Sequence, residues 1–414
     1  MLRRAISTAG WMVAAGTVLS SCASAAPSST ASARPTMSAR SAPTSTPVPV
    51  PPGPFAVVVT NSGRTGATYA VMLINDDAQI VASTTAKLPA VRPHQTLSLP
   101  LVSVSDSTVY FLNGNTNIDS LSPSGTTGQV MTIPEGATEE VAFAVSPDDQ
   151  RIAVTEITEA PDFTDDTSQA YLEDLPSGAD RVSLWGKVTG TAALRWPAGW
   201  DGASVIDEAW AQFAYAVCGP PNCGGYSYQV VAPATRDVTA TVCRTPPSQP
   251  AYETPNATVI SYAMQGLPTP AGIACFETAV SYGPTGGATL ATTIVDTLEA
   301  VAWSGTPTTF AQVNPDTDQQ WSILPSCVLS PDGSRMACTS PSNGALMLLS
   351  SGGTMTNSGH QYAGILGWID ATHLLVDVDS GNLGVLDPDT GVLVTVAVPQ
   401  ASQVEMVGTL PGEL

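Results

Sequence analysis

Val145-Ser-Pro-Asp-Asp-Gln-Arg-Ile-Ala-Val154 returns as Leu329-Ser-Pro-Asp-Gly-Ser-Arg-Met-Ala-Cys338, 184 residues further on (329 minus 145). In each copy an apolar residue leads into a Ser-Pro-Asp turn, and an arginine followed by apolar residues leads out. Proline presets one backbone angle of such a turn and glycine relaxes another. The pattern predicts a tight hairpin between two strands. Its recurrence marks a repeat architecture.

The rest of the chain has the same character. Phe55-Ala-Val-Val-Val-Thr60, Tyr69-Ala-Val-Met-Leu-Ile74, Thr108-Val-Tyr-Phe-Leu112 and Leu374-Leu-Val-Asp-Val378 are short β-branched runs bounded by Gly, Pro, Asn, Asp or Ser. That is the signature of strands, and no long stretch carries apolar residues at helical spacing. A second kind of hairpin, closed by a Pro/Ser/Gly turn, is centred near Asp76, Pro123, Pro176, Pro233, Ser304, Ser351 and Pro388. The spacings run from 37 (388 minus 351) to 71 residues (304 minus 233). Four strands and their turns need roughly 40–50 residues, the size of one propeller blade. Gly199-Trp200 and Gly367-Trp368 form a further echo, 168 residues apart (368 minus 200), or three units of 56. The expected fold is an all-β propeller of seven four-stranded blades over residues 54–414. Six or eight blades are the alternatives, because residues 245–320 are the least regular. Val404-Glu-Met-Val407 is the candidate closing strand.

Ser-Pro-Asp-Gly-x-Arg-Met-Ala at 330–337, with its degenerate copy at 146–153, resembles the repeat of the TolB-like and WD-related β-propellers. The resemblance covers about residues 54–400, and its motifs are structural, so it implies a fold and no ligand. Two features depart from the pattern: Asp149 stands where the turn glycine is expected, and no Trp-Asp dipeptide closes a blade.

Six cysteines lie beyond residue 22, and an even number in an exported chain implies disulfides. In a hairpin centred on Asp332-Gly333 facing residues sum to 665, so Cys327 and Cys338 stand opposite one another. The same offset maps them onto Phe143 and Val154, an apolar pair. Cys218 and Cys223 bracket Gly-Pro-Pro-Asn and are expected to close a small loop. Cys243 and Cys275 then remain for each other. Their spacings match no zinc pattern.

The address is written at the start of the chain. Arg3 and Arg4 precede an apolar stretch from Ala5 to Leu19 that is too short to span a membrane. Leu19-Ser-Ser-Cys22 resembles a bacterial lipobox, so residues 1–22 are expected to be a lipoprotein signal, with Cys22 carrying the lipid. An ordinary secretory signal cut near Ala26 is the alternative. Residues 23–53 are nearly all Ser, Ala, Thr and Pro, with Arg34 and Arg40 the sole charges. Such a segment buries too little apolar surface to fold and is expected to be a disordered tether. The whole chain resembles the propeller lipoproteins of actinobacteria, which implies the outer face of the cytoplasmic membrane in a high-GC Gram-positive envelope.

The formal net charge is −21 and the sole lysines are Lys87 and Lys187, which excludes a nucleic-acid-binding surface. His94, His360 and His373 are the three histidines, and none stands in a nucleophile elbow, a phosphate-binding loop or a His-Glu-x-x-His motif. His373 reads as a blade residue within the Gly-Trp echo. Glu156, Glu159, Asp162, Asp165, Asp166, Glu173, Asp174 and Asp180 form the densest acidic cluster. It reads as a solvated face, with Asp162, Asp165 and Asp166 the candidates if calcium binds there. Asp377-Val-Asp379-Ser-Gly381 is a second partial calcium pattern that reads as a turn. Trp200, Trp210 and Tyr215 gather where a sugar or a partner protein could be contacted, interblade packing being the plainer reading. No cofactor is implied. The function expected is non-catalytic binding of an envelope protein or a cell-wall glycan. A hydrolase or lyase with paired carboxylates at the channel mouth is the alternative.

Overall fold

The computed structural model describes residues 53–61, 67–91, 97–134, 139–160, 165–190, 194–212, 224–243, 258–282, 291–313, 326–339, 344–379, 381–398 and 403–412. The leader with Cys22, the tether up to residue 52, His94, Asp162, Tyr215, Cys218 and Cys223 lie outside the described residues.

Blade 1 holds Phe55–Thr60 (β1), Thr68–Asn75 (β2) and Ile80–Lys87 (β3). Blade 2 holds Val102–Val104 (β4), Val109–Asn113 (β5), Asn117–Leu121 (β6) and Thr127–Thr132 (β7). Blade 3 runs through Glu140–Val145 (β8), Arg151–Thr158 (β9), Thr167–Asp174 (β10) and Val182–Thr189 (β11). In blade 4 the strands are Arg195–Asp201 (β12), Ser204–Gln212 (β13), Gly224–Ala232 (β14) and Asp237–Val242 (β15). Blade 5 comprises Thr258–Thr269 (β16), Gly272–Tyr282 (β17), Ala291–Val301 (β18) and Pro307–Val313 (β19). Ser326–Leu329 (β20), Arg335–Thr339 (β21), Ala345–Ser350 (β22) and Met355–Gln361 (β23) make blade 6. Gly364–Trp368 (β24), Leu374–Asp377 (β25), Leu383–Asp387 (β26) and Val392–Thr395 (β27) make blade 7. Val404–Leu410 (β28) then returns to pair antiparallel with β1, so blade 1 has the order β28-β1-β2-β3. The ring therefore closes with the C-terminal strand innermost in the first blade.

Every blade is an antiparallel sheet of four strands, and the seven turns of the second kind join its third strand to its fourth. The two Ser-Pro-Asp hairpins join the first and second strands of blades 3 and 6. Their registers match: Phe143 pairs with Val154, and Cys327 pairs with Cys338. Asp149 takes the left-handed backbone at φ 58° that Gly333 takes at 70°, which explains why an aspartate can stand there.

A blade is buried on both faces, and alternation along a strand sends successive side chains to different neighbours. An apolar cluster accordingly fills each of the seven junctions. Blade 3 shows the consequence. Val141, Phe143, Val145, Ile152 and Val154 pack against blade 2, whereas Ala142, Ala144, Ala153, Thr155 and Ala170 lie on the side that meets blade 4. Indoles fill part of the room these small residues leave. Trp200 donates to the Ala144 carbonyl at 3.2 Å, with Arg151 5.5 Å from its ring centre. Trp368 repeats the device between blades 7 and 6, donating to Val328 at 3.1 Å with Arg335 at 5.3 Å. Cys243 and Cys275 form a disulfide across the junction of blades 4 and 5, and Cys327 and Cys338 form one within blade 6.

The two ends of the ring differ. At one, the turn end, first strands turn into second and third into fourth; the longest of these connections is 175–181. At the other, the loop end, second strands pass to third and each blade passes to the next. Its connections include 88–101, 213–223, 243–257 and 314–325.

Candidate functional site

At the turn end most acidic side chains are consumed in building turns. Ser146 donates to Asp148 at 2.7 Å and Ser330 to Asp332 at 2.6 Å, while each serine oxygen accepts the amide of Arg151 or Arg335. The bond from Ser146 holds the Asp148 carboxyl below its ordinary range. At Asp332 burial acts in the opposite sense, but bonds from Ser330 and Ser334 outweigh it. Asp76, Asp370 and His373 bring ligand atoms within 4.8 Å of one another, across blades 1 and 7. Asp370 already accepts the amides of Thr372 and His373 at 2.6 and 2.7 Å, and its second oxygen lies 2.8 Å from His373 Nδ1. These bonds close the β24–β25 turn. At the loop end Asp377 is used in the same way, accepting the Gly381 amide at 2.9 Å in the β25–β26 connection. The channel mouth at the turn end is a small open pocket lined chiefly by Val104, Leu267, Pro270, Leu329, Trp368 and Met406. Its described lining carries no ionisable side chain.

Blades 3 and 4 collect buried charge, with Glu159 and Asp166 at the loop end and Glu173 beside the 175–181 turn. Glu159, Asp166 and Glu173 are buried while Asp165 and Asp180 are exposed, so the acidic cluster is only in part the solvated face its sequence suggests. The physical reason is backbone and guanidinium donors. Glu159 accepts the Leu97 amide at 3.0 Å and Asp166 the Ala160 amide at 2.6 Å. Glu173 takes Arg181 through Nε and Nη2 at 3.0 and 2.9 Å, and that guanidinium packs 3.8 Å over Tyr171. Of the calcium candidates, Asp165 is exposed, Asp166 is enclosed, and Asp162 lies outside the described residues. Trp200 is 1% exposed and belongs to the packing between blades, not to a ligand surface. Trp210 sits on β13, its side chain outside the described residues along with Tyr215.

The groups that the sequence reading did not single out are Asp207, Glu208, Arg195, Thr155 and Trp185. Asp207 and Glu208 are consecutive on β13, so they enter opposite junctions. Glu208 accepts the Trp196 indole at 3.1 Å; burial pushes its carboxyl up to about 7. Asp207 shares its side of β13 with Val205, which packs with Trp185, Trp200 and Ala144 between blades 3 and 4. It is fully buried, and burial pushes its carboxyl up to about 8 against the opposing pull of Arg195. The Arg195 guanidinium lies 3.9 Å over the Trp185 ring. Neither oxygen of Asp207 has a hydrogen-bond partner among the described residues, nor do Thr155 Oγ1 and Trp185 Nε1. Thr155, Ala170 and Trp185 form one cross-strand row on the face of blade 3 that meets Asp207. A signal was present: Val205-Ile-Asp-Glu208 places two acids inside an apolar strand buried on both sides, so each junction had to receive one.

No protein-family model matches the chain, and no curated protein matches its sequence. Among solved structures it is similar to an oligogalacturonate lyase in complex with manganese. The identity is 11% and the TM-score 0.46, covering 80% of this chain and 83% of that one. It is also similar to the acylaminoacyl peptidase of Pyrococcus horikoshii, at 10% identity and TM-score 0.41, covering 83% of this chain and 52% of that one. A dihydro-haem d1 dehydrogenase is similar at 12% identity and TM-score 0.40, with 85% and 75% covered. At these identities the likeness concerns the fold alone.

Proposed function

We propose that the protein is an extracytoplasmic bacterial lipoprotein, held by a lipid on Cys22 and the 23–53 tether. Its loop end binds an envelope protein or a cell-wall glycan without transforming it. The observation that carries this reading is the inequality of the two ends. The turn end is trimmed to short turns, while the loop end carries the long connections and, on blade 3, the buried Glu159 and Asp166. Binding residues concentrate on loops presented by a rigid scaffold. A hydrolase or lyase is the second reading, favoured by the raised carboxyl of Asp207, since catalytic acids are perturbed in this way. Glycoside chemistry needs two carboxylates facing one cleft, roughly 5–9.5 Å apart. Asp207 and Glu208 enter opposite junctions and cannot supply that pair.

The test is cross-linking of intact cells that carry the wild-type protein or Cys22→Ala, with mass spectrometry of what is captured. One envelope partner found reproducibly, and lost without the anchor, supports a tethered docking platform. Capture of no specific partner, together with turnover of a glycan or peptide that Asp207→Asn abolishes, installs the enzyme in its place.

A further inference from the structure

The junction of blades 3 and 4 holds an unusual set of groups. Asp207 is fully buried with both oxygens unpartnered among the described residues, and Thr155 Oγ1 and Trp185 Nε1 are buried and unpartnered too. Arg195 is held against the Trp185 indole and does not hydrogen-bond Asp207. Its one nearby acceptor is Gln229 Oε1, at 3.5 Å. The facing strands of blade 3 contribute the small Ala142, Ala144, Ala153 and Ala170, which share their packing clusters with Trp185, Trp196, Trp200 and Val205. Buried polar groups in native proteins are paired with protein, water or ligand, so four orphaned atoms in one junction ask for an occupant.

The donors decide what that occupant is. Trp185 offers an indole N–H, Thr155 a hydroxyl and Arg195 a guanidinium, and none of the three is committed to a strong acceptor. A carboxylic acid at Asp207 would add a fourth donor. We infer that this junction is a binding site for the carboxylate group of a small acid, which would accept from Arg195, Trp185, Thr155 and the Asp207 hydroxyl together. Charge-assisted bonds of this kind are about twice as strong as neutral ones, and an arginine fork suits two oxygens. The inference stands on the geometry of the junction and does not require the docking reading, so either can fail alone.

Protonation of Asp207 makes binding pH-dependent. The charged groups facing it are Arg195 from β12 and Glu140, which shares the Thr155 side of blade 3; Lys187 on β11 is exposed. Burial keeps the Asp207 carboxyl neutral up to about pH 8, above which its own charge repels the ligand.

The experiment is calorimetric titration of the mature full chain with sodium glucuronate and with sodium acetate, glucose being the neutral control, at pH 6 and pH 9. Glucuronate, acetate or both are expected to bind at pH 6 and to weaken at least tenfold at pH 9, while glucose produces no heat. Thr155→Val and Trp185→Phe should each weaken binding about tenfold or more, the worth of one hydrogen bond to a charged group. Asp207→Asn, which keeps a donor but cannot ionise, should lose the pH dependence, its affinity at pH 9 matching its own at pH 6. Near-ultraviolet circular dichroism verifies that each variant is folded. Absence of carboxylate binding at pH 6 in folded wild-type protein overturns the inference, leaving ordered water as the occupant. So does equal binding of glucose, or binding by folded Asp207→Asn that still weakens tenfold between pH 6 and pH 9.

Discussion

Replacing Asp207 with asparagine should make the protein more stable at neutral and alkaline pH and leave it unchanged in acid. The carboxyl stands near 8 in the folded chain against 3.8 for the ordinary group. Between those values the folded state holds a proton that the unfolded state has lost. Stability therefore declines as pH rises from about 4 to about 8. The interval of about 4 units, at roughly 1.4 kcal/mol each, sets a ceiling on the order of 5–6 kcal/mol. Relaxation and water entry reduce such penalties, so a gain of about 2–4 kcal/mol for Asp207→Asn at pH 8 is expected. Glu208 is pushed up as well, but it is common to both proteins and cancels in their difference. Urea unfolding followed by tryptophan fluorescence at pH 4, 6 and 8 measures that difference. It should be within about 1 kcal/mol of zero at pH 4 and grow with pH. A difference that stays flat across the range, or a variant less stable at pH 8, would refute a buried, neutral Asp207.

The remaining predictions concern the ring. Cys327 and Cys338 are fully buried and 11 residues apart, so replacing both with alanine should cost about 3 kcal/mol in loop entropy plus lost packing, by urea midpoint. The pair Cys327→Phe with Cys338→Val, copied from Phe143 and Val154, should recover more of that stability than the alanine pair; equal losses would contradict the equivalence of the two hairpins. Trp200→Phe and Trp368→Phe each remove an indole bond to the preceding blade and should cost a similar amount, on the order of 1–2 kcal/mol. A cost at one site alone would break the symmetry argued for blades 3–4 and 6–7. Deleting residues 403–414 removes β28 and bares the edge of β1, so the truncated protein should aggregate on size exclusion where the full chain does not.

The propeller was legible because its signals are local. A Ser-Pro-Asp-Gly turn, a Pro/Ser/Gly turn and a β-branched run each lie within ten residues, and their recurrence counts the blades. The Cys327–Cys338 pairing was legible for the same reason, since hairpin register follows from the turn. What lies between blades was not. Thr155, Trp185 and Asp207 meet because two separate sheets stack, and no periodicity links residues on different sheets. The buried members of the acidic cluster were hidden for a related reason. Glu159 is satisfied by the amide of Leu97, 62 residues earlier in the chain, so its burial could not be read from its neighbours. Trp200 shows that one aromatic can fit two readings until its hydrogen bond to Ala144 decides for packing.

The loop end as the binding face is tested most directly by position-specific photocross-linking in intact cells. A cross-linking residue at Asp165, exposed at the loop end, is compared with one at Asp389, exposed at the turn end. Capture of one envelope species from position 165 and not from position 389 is the predicted result. Capture from position 389 alone, or equally from both, would contradict a docking surface at the loop end.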